Sequence, residues 1–296
     1  MASRLKNFRN IALACGVFLV GCVLSGCKNE HIFHDGTTSP TPFEAAFLVL
    51  GDNRSGDRVY ADIVAAITSS LSFAKCLINT GDMITNAGNR KQWENFLKMT
   101  APLAAKMSWY GVVGNHEVNS LASQQIYQEV LNFPGNELYY SFDTLNSHFI
   151  ILDTEIPGQI AAIIGEQLAW LKHDLQTRPP AAQYTFVFTH RPLFPQRSKR
   201  GSNLLNADEL HQLFRQYKVD IVFSGHEHEY YTFPKDTLHY VITGGAGAPV
   251  GKSPAGQGFH HFLLVELLAP GEILIQVLDV HGKIIQTEVL NNETHP

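Results

Sequence analysis

The sequence predicts an α/β protein built as a two-sheet β-sandwich flanked by helices. Three observations carry that expectation. Apolar runs that end in polar clusters alternate with helical stretches, which is the pattern of βαβ units. The middle of the chain changes to a hairpin pattern. The two halves look alike, each strand-rich with helices outside, and no fixed-period repeat is visible.

The elements follow in order. "AAFLVLGDNR" is the first strand run, with "DRVYADIVAAITSSL" as its helix; "KCLINTGDMI" is the second, followed by "NRKQWENFLKMTAPLAA"; "SWYGVVGNHE" is the third, followed by "LASQQIYQEVLNF". "ELYYSFDTLNSHFIILDTE" reads as two strands around "TLNS". "GEQLAWLKHDLQ" is an amphipathic helix with Leu168, Leu171 and Leu175 on one face. Then come "QYTFVFTHRP", the helix "ADELHQLFRQY", the strands of "VDIVFSGHEHEY" and "LHYVITGGAGAP", and a strand pair "HHFLLVELL" and "EILIQVLDV" joined by "APG".

The bulk composition narrows the class. The 296 residues are 45% hydrophobic and 17% charged, which fits a packed core and argues against disorder. The formal charge of -5 offers no basic excess, so no nucleic-acid partner is expected. Residues 1–26 read as a separate object: Arg4, Lys6 and Arg9 precede the apolar "IALACGVFLVGCVLSG", too short for a comfortable membrane span. It ends in "LSGC", which resembles a bacterial lipobox. The expectation is therefore a lipoprotein signal peptide over 1–26, a lipidated Cys27 with a polar tether over 27–43, and a folded domain over 44–296. Acyl chains on Cys27 would anchor the protein to a bacterial membrane, facing the periplasm or the cell exterior. Loss of the leader takes the formal charge from -5 to -8. Cys15 and Cys22 leave with it, so Cys76 is left without a disulfide partner and reads as a buried small residue. His31 and His34 have a metal-compatible spacing but sit in the tether.

Five strand ends carry the chemistry: "GDNR" at 51–54, "GDMI" at 81–84, "GNHE" at 114–117, "TH" at 189–190 and "GHEH" at 225–228. In open α/β sheets ligands bind beyond the carboxyl ends of strands. These ends offer Asp, Asp, Asn, His, His and His, a mixed oxygen and nitrogen donor set suited to Mn, Fe or Zn rather than Ca. Five independent polar turns would not keep choosing carboxylate, amide and imidazole.

These blocks, in this order over about residues 46–267, resemble the calcineurin-like metallophosphoesterases, a family that includes the purple acid phosphatases. "GNHE" and "GHEH" are the most specific of the shared motifs, and "GGAGAP" resembles a stretch that follows the last metal motif in the phosphatase branch. The resemblance implies an αββα fold and a centre of one or two transition-metal ions. It implies that Asp82 bridges two ions, that Asn115, His190 and His226 complete one site, and that Asp52 and His228 belong to the other. It implies that His116 binds no metal and acts as general acid or stabilises the transition state while a metal-bound hydroxide attacks phosphorus.

The chain departs from the family pattern at one place. The first block is commonly Asp-x-His, and here Arg54 stands where that His would ligate; a guanidinium cannot ligate a cation. The Tyr that purple acid phosphatases use instead corresponds to Thr85. Water, or an oxygen of Asn53, Thr85 or Asn86, could fill the gap, or the Asp52 site could be weak and leave one tight metal. Arg54 would then either grip substrate phosphate as a catalytic residue, or point to solvent or pair with a carboxylate such as Asp57.

Other residues receive lesser roles. Arg191, Arg197, Lys199 and Arg200 could form a basic lip or a solvated loop. Asp153 reads as structural, Glu117 and Glu227 as supports of neighbouring ligands, and His260 and His261 as residues of a packed strand. The expected function is metal-dependent hydrolysis of a small phosphomonoester or phosphodiester by a membrane-tethered enzyme. The alternative is a non-catalytic or single-metal envelope protein that binds phosphate-bearing ligands.

Overall fold

The computed structural model describes residues 45–196, 204–251, 258–268 and 271–291. The expected leader and tether, with Cys27, His31 and His34, lie outside the described residues, as do Arg197, Lys199 and Arg200. No helix among the described residues is long and apolar enough to cross a membrane.

Two six-stranded sheets form the architecture. The first joins the parallel strands β1 (Ala45–Leu50), β2 (Cys76–Asn79) and β3 (Ser108–Gly111) to the antiparallel β10 (Phe262–Leu267), β11 (Glu272–Leu278) and β12 (Ile284–Asn291), in the order β12-β11-β10-β1-β2-β3. The second contains β4 (Tyr140–Thr144), β5 (Ser147–Ile151), β6 (Tyr184–Thr189), β7 (Ile221–Ser224), β8 (Tyr230–Lys235) and β9 (Leu238–Thr243), in the order β4-β5-β6-β7-β9-β8. Within it β5, β6, β7 and β9 are parallel. The hairpin expected at "TLNS" is present: β4 pairs β5 across Leu145 and Asn146, whose φ values of 56° and 52° suit a tight primed turn.

Period-two patterning explains how the second sheet is covered on both faces. Phe149, Ile151, Phe186, Phe188, Ile221 and Phe223 point into the space between the sheets, while the intervening Ile150, Leu152, Val187 and Val222 face an outer layer. Phe47 on β1 sits at the centre of the inter-sheet core, its ring 5.0–6.4 Å from those of Phe149, Phe186, Phe188 and Phe223. The outer layer is built by helices α4 (Gly165–Thr177) and α5 (Ala207–Gln216), which insert Leu171, Leu175, Leu210 and Phe214. Beside the first sheet, α1 (Asp57–Ser70) and α2 (Arg90–Ala104) meet through stacked Tyr60 and Phe96. Helix α3 (Leu121–Val130) adds Tyr127 against Trp93. Cys76 is buried and unpaired, its thiol pushed up to about 12 by burial.

Two strands escape the sequence pattern. β8 carries Pro234, and β12 alternates weakly with most side chains exposed. Both lie at sheet edges, where a proline is tolerated and one face needs no core.

Candidate metal centre

The parallel strands of the two sheets deliver their carboxyl ends to one place. Asp52 follows β1, Asp82 follows β2, Asn115 and His116 follow β3, His190 follows β6, and His226 and His228 follow β7. Asp52, Asp82 and His226 hold left-handed backbone, with φ of 56°, 56° and 67°. Short polar residues tolerate that region best, yet each such residue costs about 1–3 kcal/mol. The surrounding hydrogen bonds over-determine it. Asp52 N donates to Gly81 O at 2.8 Å, Arg54 N to Asp82 O at 3.0 Å, and Ala248 N to Asp52 O at 2.7 Å. His226 N donates to Asp52 Oδ2 at 2.9 Å.

Glu117 is the clamp of the second and third blocks. Its carboxylate accepts from Asp82 N, Met83 N, Ile84 N and Gly114 N at 2.8–3.0 Å. Burial and the adjacent Asp82 charge push this acid up to about 8, while the N–H groups favour its ionised form. Gly114 has to be glycine, because a Cβ there would fall against the Asp82 amide and the Glu117 carboxylate. The expected supporting role of Glu117 therefore has a definite geometry. Glu227 similarly accepts from Gln196 N at 2.8 Å.

The histidine tautomers reveal what the cluster is built to hold. His190 Nδ1 lies 2.9 Å from Thr80 O, which can only accept, so Nδ1 carries the proton. A neutral ring then aims its Nε2 lone pair at two more acceptors, Asn115 Oδ1 at 3.0 Å and Asp82 Oδ1 at 3.3 Å. His226 Nδ1 joins them, 2.8 Å from Asn115 Oδ1 and 3.2 Å from His190 Nε2. The Nε2 of a neutral His190 facing the Asn115 and Asp82 oxygens in a buried site suits a cation among them. His228 repeats the logic: Nδ1 is held by Pro249 O at 3.0 Å, and Nε2 lies 3.4 Å from Asp52 Oδ1, a buried oxygen that accepts no hydrogen bond. One ligand atom each from Asp52, Asp82 and His190 falls within 4.8 Å of the others. The donor set thus fits a transition metal on the Asn115–His190–His226–Asp82 side.

The electrostatics show that the cluster favours positive charge, which a cation or protonated rings can supply. Burial alone would raise the Asp82 acid, but the charges of His190, His116 and Arg54 hold it below the usual carboxylate range. Burial alone would lower His190, but the carboxylates of Asp82, Asp52 and Glu155 raise it. His116 is partly exposed; its N–H donates to Asp82 Oδ1 at 3.1 Å and its Nδ1 is held by Thr85 O at 2.7 Å. Its Nε2 stands 3.9 Å from Asp82 Oδ2, outside bonding distance.

The structure resolves several options that the sequence leaves open. Arg54 Nε pairs with Asp82 Oδ2 at 3.1 Å, not with Asp57. Asn53 is bound on both sides, accepting from Asn79 Nδ2 at 2.8 Å and donating to Met83 O at 3.3 Å. Thr85 Oγ1 lies 3.0 Å from Ser55 Oγ, and Asn86 is exposed. Arg191 forms no basic lip: it grips the buried Glu155 through Nε–Oε1 at 2.6 Å and Nη2–Oε2 at 2.9 Å. That pair was missed because nothing local to "TEIP" marks Glu155 as its partner. Asp153 is structural, accepting from Glu155 N at 2.6 Å. His261 packs just before β10 rather than within it, buried, its imidazole pushed down to about 4 by burial, and His260 Nδ1 lies 3.0 Å from Gly245 O. Asn79 was also missed; a polar residue closing the run "CLIN" was the available signal, and its Oδ1 accepts from Gly81 N at 3.0 Å.

Donor side chains converging from the tips of two packed sheets define a metal-centred αββα protein. Residues 45–230 match the family model described as calcineurin-like phosphoesterase, and the chain belongs to that family. It is 25% identical over 211 residues to purple acid phosphatase 22 of Arabidopsis thaliana, covering 67% of this chain and 47% of that one. It is 27% identical to acid phosphatase type 7 of Mus musculus, covering 58% and 48%. The chain thus spans about half the length of these curated relatives. Its fold is similar to that of the purple acid phosphatase PPD1 from yellow lupin, with a TM-score of 0.73 at 19% identity over 86% of this chain and 55% of that one.

Proposed function

We propose that this protein hydrolyses a small phosphoester at the Asp82-centred cluster and works outside the cytoplasm, tethered by lipid on Cys27. The observation that carries the hydrolytic reading is the acceptor-to-acceptor convergence of His190 Nε2, Asn115 Oδ1 and Asp82 Oδ1. Family membership and the likeness to acid phosphatases support the same reaction class. The tether rests on the "LSGC" motif and its basic and apolar prelude.

A transition-metal ion held by Asp82, Asn115, His190 and His226 would polarise water and the phosphoryl oxygens. The chain's own residues supply the remainder. Arg54 is fixed through Nε, and its two terminal nitrogens have no partner among the described residues, so they are available to grip phosphoryl oxygens. It lines a cleft of about 450 Å³ floored by Met83, Ile84, Phe96 and Met99, with room for the organic part of a small ester. His116 can carry a proton at Nε2 for the leaving oxygen: its Nδ1–H is committed to Thr85 O, which leaves Nε2 facing the cluster, 3.9 Å from Asp82 Oδ2.

The test is hydrolysis of a chromogenic phosphomonoester and a chromogenic phosphodiester by the full chain in detergent, before and after chelation and with Mn or Zn restored. Metal-restored turnover is expected; a folded, metal-loaded protein that hydrolyses neither ester would refute the proposal. Labelling with a radioactive fatty acid, lost in Cys27→Ala, checks the tether separately.

A further inference from the structure

We infer that this centre holds one metal ion tightly, and that the Arg54 guanidinium takes over the place and the charge of a second. The inference rests on the hydrolytic reading only in taking the cluster for a metal centre. It starts from an asymmetry about Asp82. One carboxylate oxygen, Oδ1, accepts the neutral His116 backbone N–H at 3.1 Å and faces His190 Nε2 at 3.3 Å, beside Asn115 and His226. The other, Oδ2, is held by Arg54 Nε at 3.1 Å. The guanidinium takes up one lone-pair direction of Oδ2 and sets a permanent positive charge against it, which disfavours a second ion on that side.

The donors left for that ion are few. Asp52 Oδ1 and His228 Nε2 lie 3.4 Å apart and face each other. Asp52 Oδ2 already accepts the His226 N–H. Of the residues that could replace a missing ligand, Asn53 is engaged by Asn79 and Met83 and the Thr85 hydroxyl by Ser55, while Asn86 is exposed to solvent. Two donors fall short of the three or four protein ligands that a tight transition-metal site uses. A permanent positive charge on the same carboxylate repels an incoming dication as well. The guanidinium is anchored at the backbone too, with Arg54 N donating to Asp82 O at 3.0 Å. It therefore supplies what a second ion would: a fixed cation against Asp82, and unengaged N–H groups for a phosphoryl oxygen.

Counting ions tests this independently of turnover. The full chain, stripped with a chelator, is dialysed against Mn²⁺ or Zn²⁺; bound metal is measured by atomic emission, and Mn²⁺ also by electron paramagnetic resonance. The expected result is one retained equivalent with the spectrum of an isolated Mn²⁺. A second equivalent should appear only at concentrations at least ~10²-fold higher, as loss of ligand support weakens metal sites. Arg54→His should retain two equivalents and show a spin-coupled spectrum. His228→Ala should keep the tight equivalent, and His190→Ala should lose it.

Two equivalents of similar affinity in the natural chain, or loss of the tight ion in His228→Ala, would overturn the inference. If Arg54→His does not fold, the natural chain and the two histidine variants still decide. Hydrolysis scored on the same samples separates the two readings. One bound ion without turnover refutes the hydrolase and leaves the single-ion centre standing; two coupled ions with turnover do the reverse.

Discussion

The same strands end in two very different places. Between the sheets, β1, β5, β6 and β7 present Phe47, Phe149, Phe186, Phe188 and Phe223, all fully buried and packed edge-on, tilted or stacked. A few residues on, past the carboxyl ends of β1, β7 and the neighbouring β2, the chain turns into left-handed backbone at Asp52, Asp82 and His226 and crowds acceptors against acceptors. The phenylalanine centre gains from every contact it makes. The tip cluster combines left-handed backbone with acceptors held close together, an arrangement suited to a cation. Stability and chemistry thus occupy successive stretches of neighbouring strands and the loops that follow them, and substitutions should separate them.

The largest effect is expected at the core. Phe47→Ala removes a ring that touches four others and should destabilise the fold by about 3–5 kcal/mol, read by urea or thermal melting. At the tip, His116→Ala should leave the melting curve near that of the natural chain. It should lower kcat for the chromogenic ester by ~10²–10⁴-fold, as expected when a positioned general acid is lost. Equal losses in both variants' stability would erase the separation.

Glu117→Gln tests the boundary between the two regions. An amide nitrogen cannot accept from the two backbone N–H groups it would meet, so one end of the clamp opens. Metal affinity should fall ~10–100-fold, measured by dialysis, because Asp82 is no longer held in its left-handed turn. A variant with natural affinity would show that strand packing alone positions Asp82.

The smallest effect is expected far from the metal. His148 lies between Asp143 and Asp174, with ring nitrogens 2.7 and 2.9 Å from their carboxylates. Burial would lower its pKa, but the two acids raise it above the ordinary value of 6.5. A raised folded pKa gives stability that is complete below the unfolded value and fades as pH climbs through the folded one. The melting temperature of the natural chain should therefore exceed that of His148→Gln at pH 5, and the gap should narrow toward pH 9. A gap that widens with pH would contradict the charged-histidine account.

Much of this protein is legible in its sequence because its main signals are local. Period-two apolar runs mark the central strands, helical spacing marks the covering helices, and Asp52, Asp82, Asn115, His190, His226 and His228 announce themselves as polar residues directly after buried strands. The edge strands β8 and β12 are fainter, since an edge needs neither full burial nor an unbroken hydrogen-bond ladder.

Tertiary structure alone decided which partners those residues take. Arg54 could have faced solvent or Asp57 on sequence grounds; only the meeting of the β1 and β2 tips sets its Nε against Asp82. Arg191 belongs with Glu155 rather than with substrate for the same reason. The Thr80, Thr85 and Pro249 carbonyls that fix the histidine tautomers are backbone atoms, invisible to any reading of side-chain type. Residue identity determines which atoms can bind a cation. Whether they do depends on which lone pairs remain once long-range hydrogen bonds are made, and those bonds exist only after the sheets have packed.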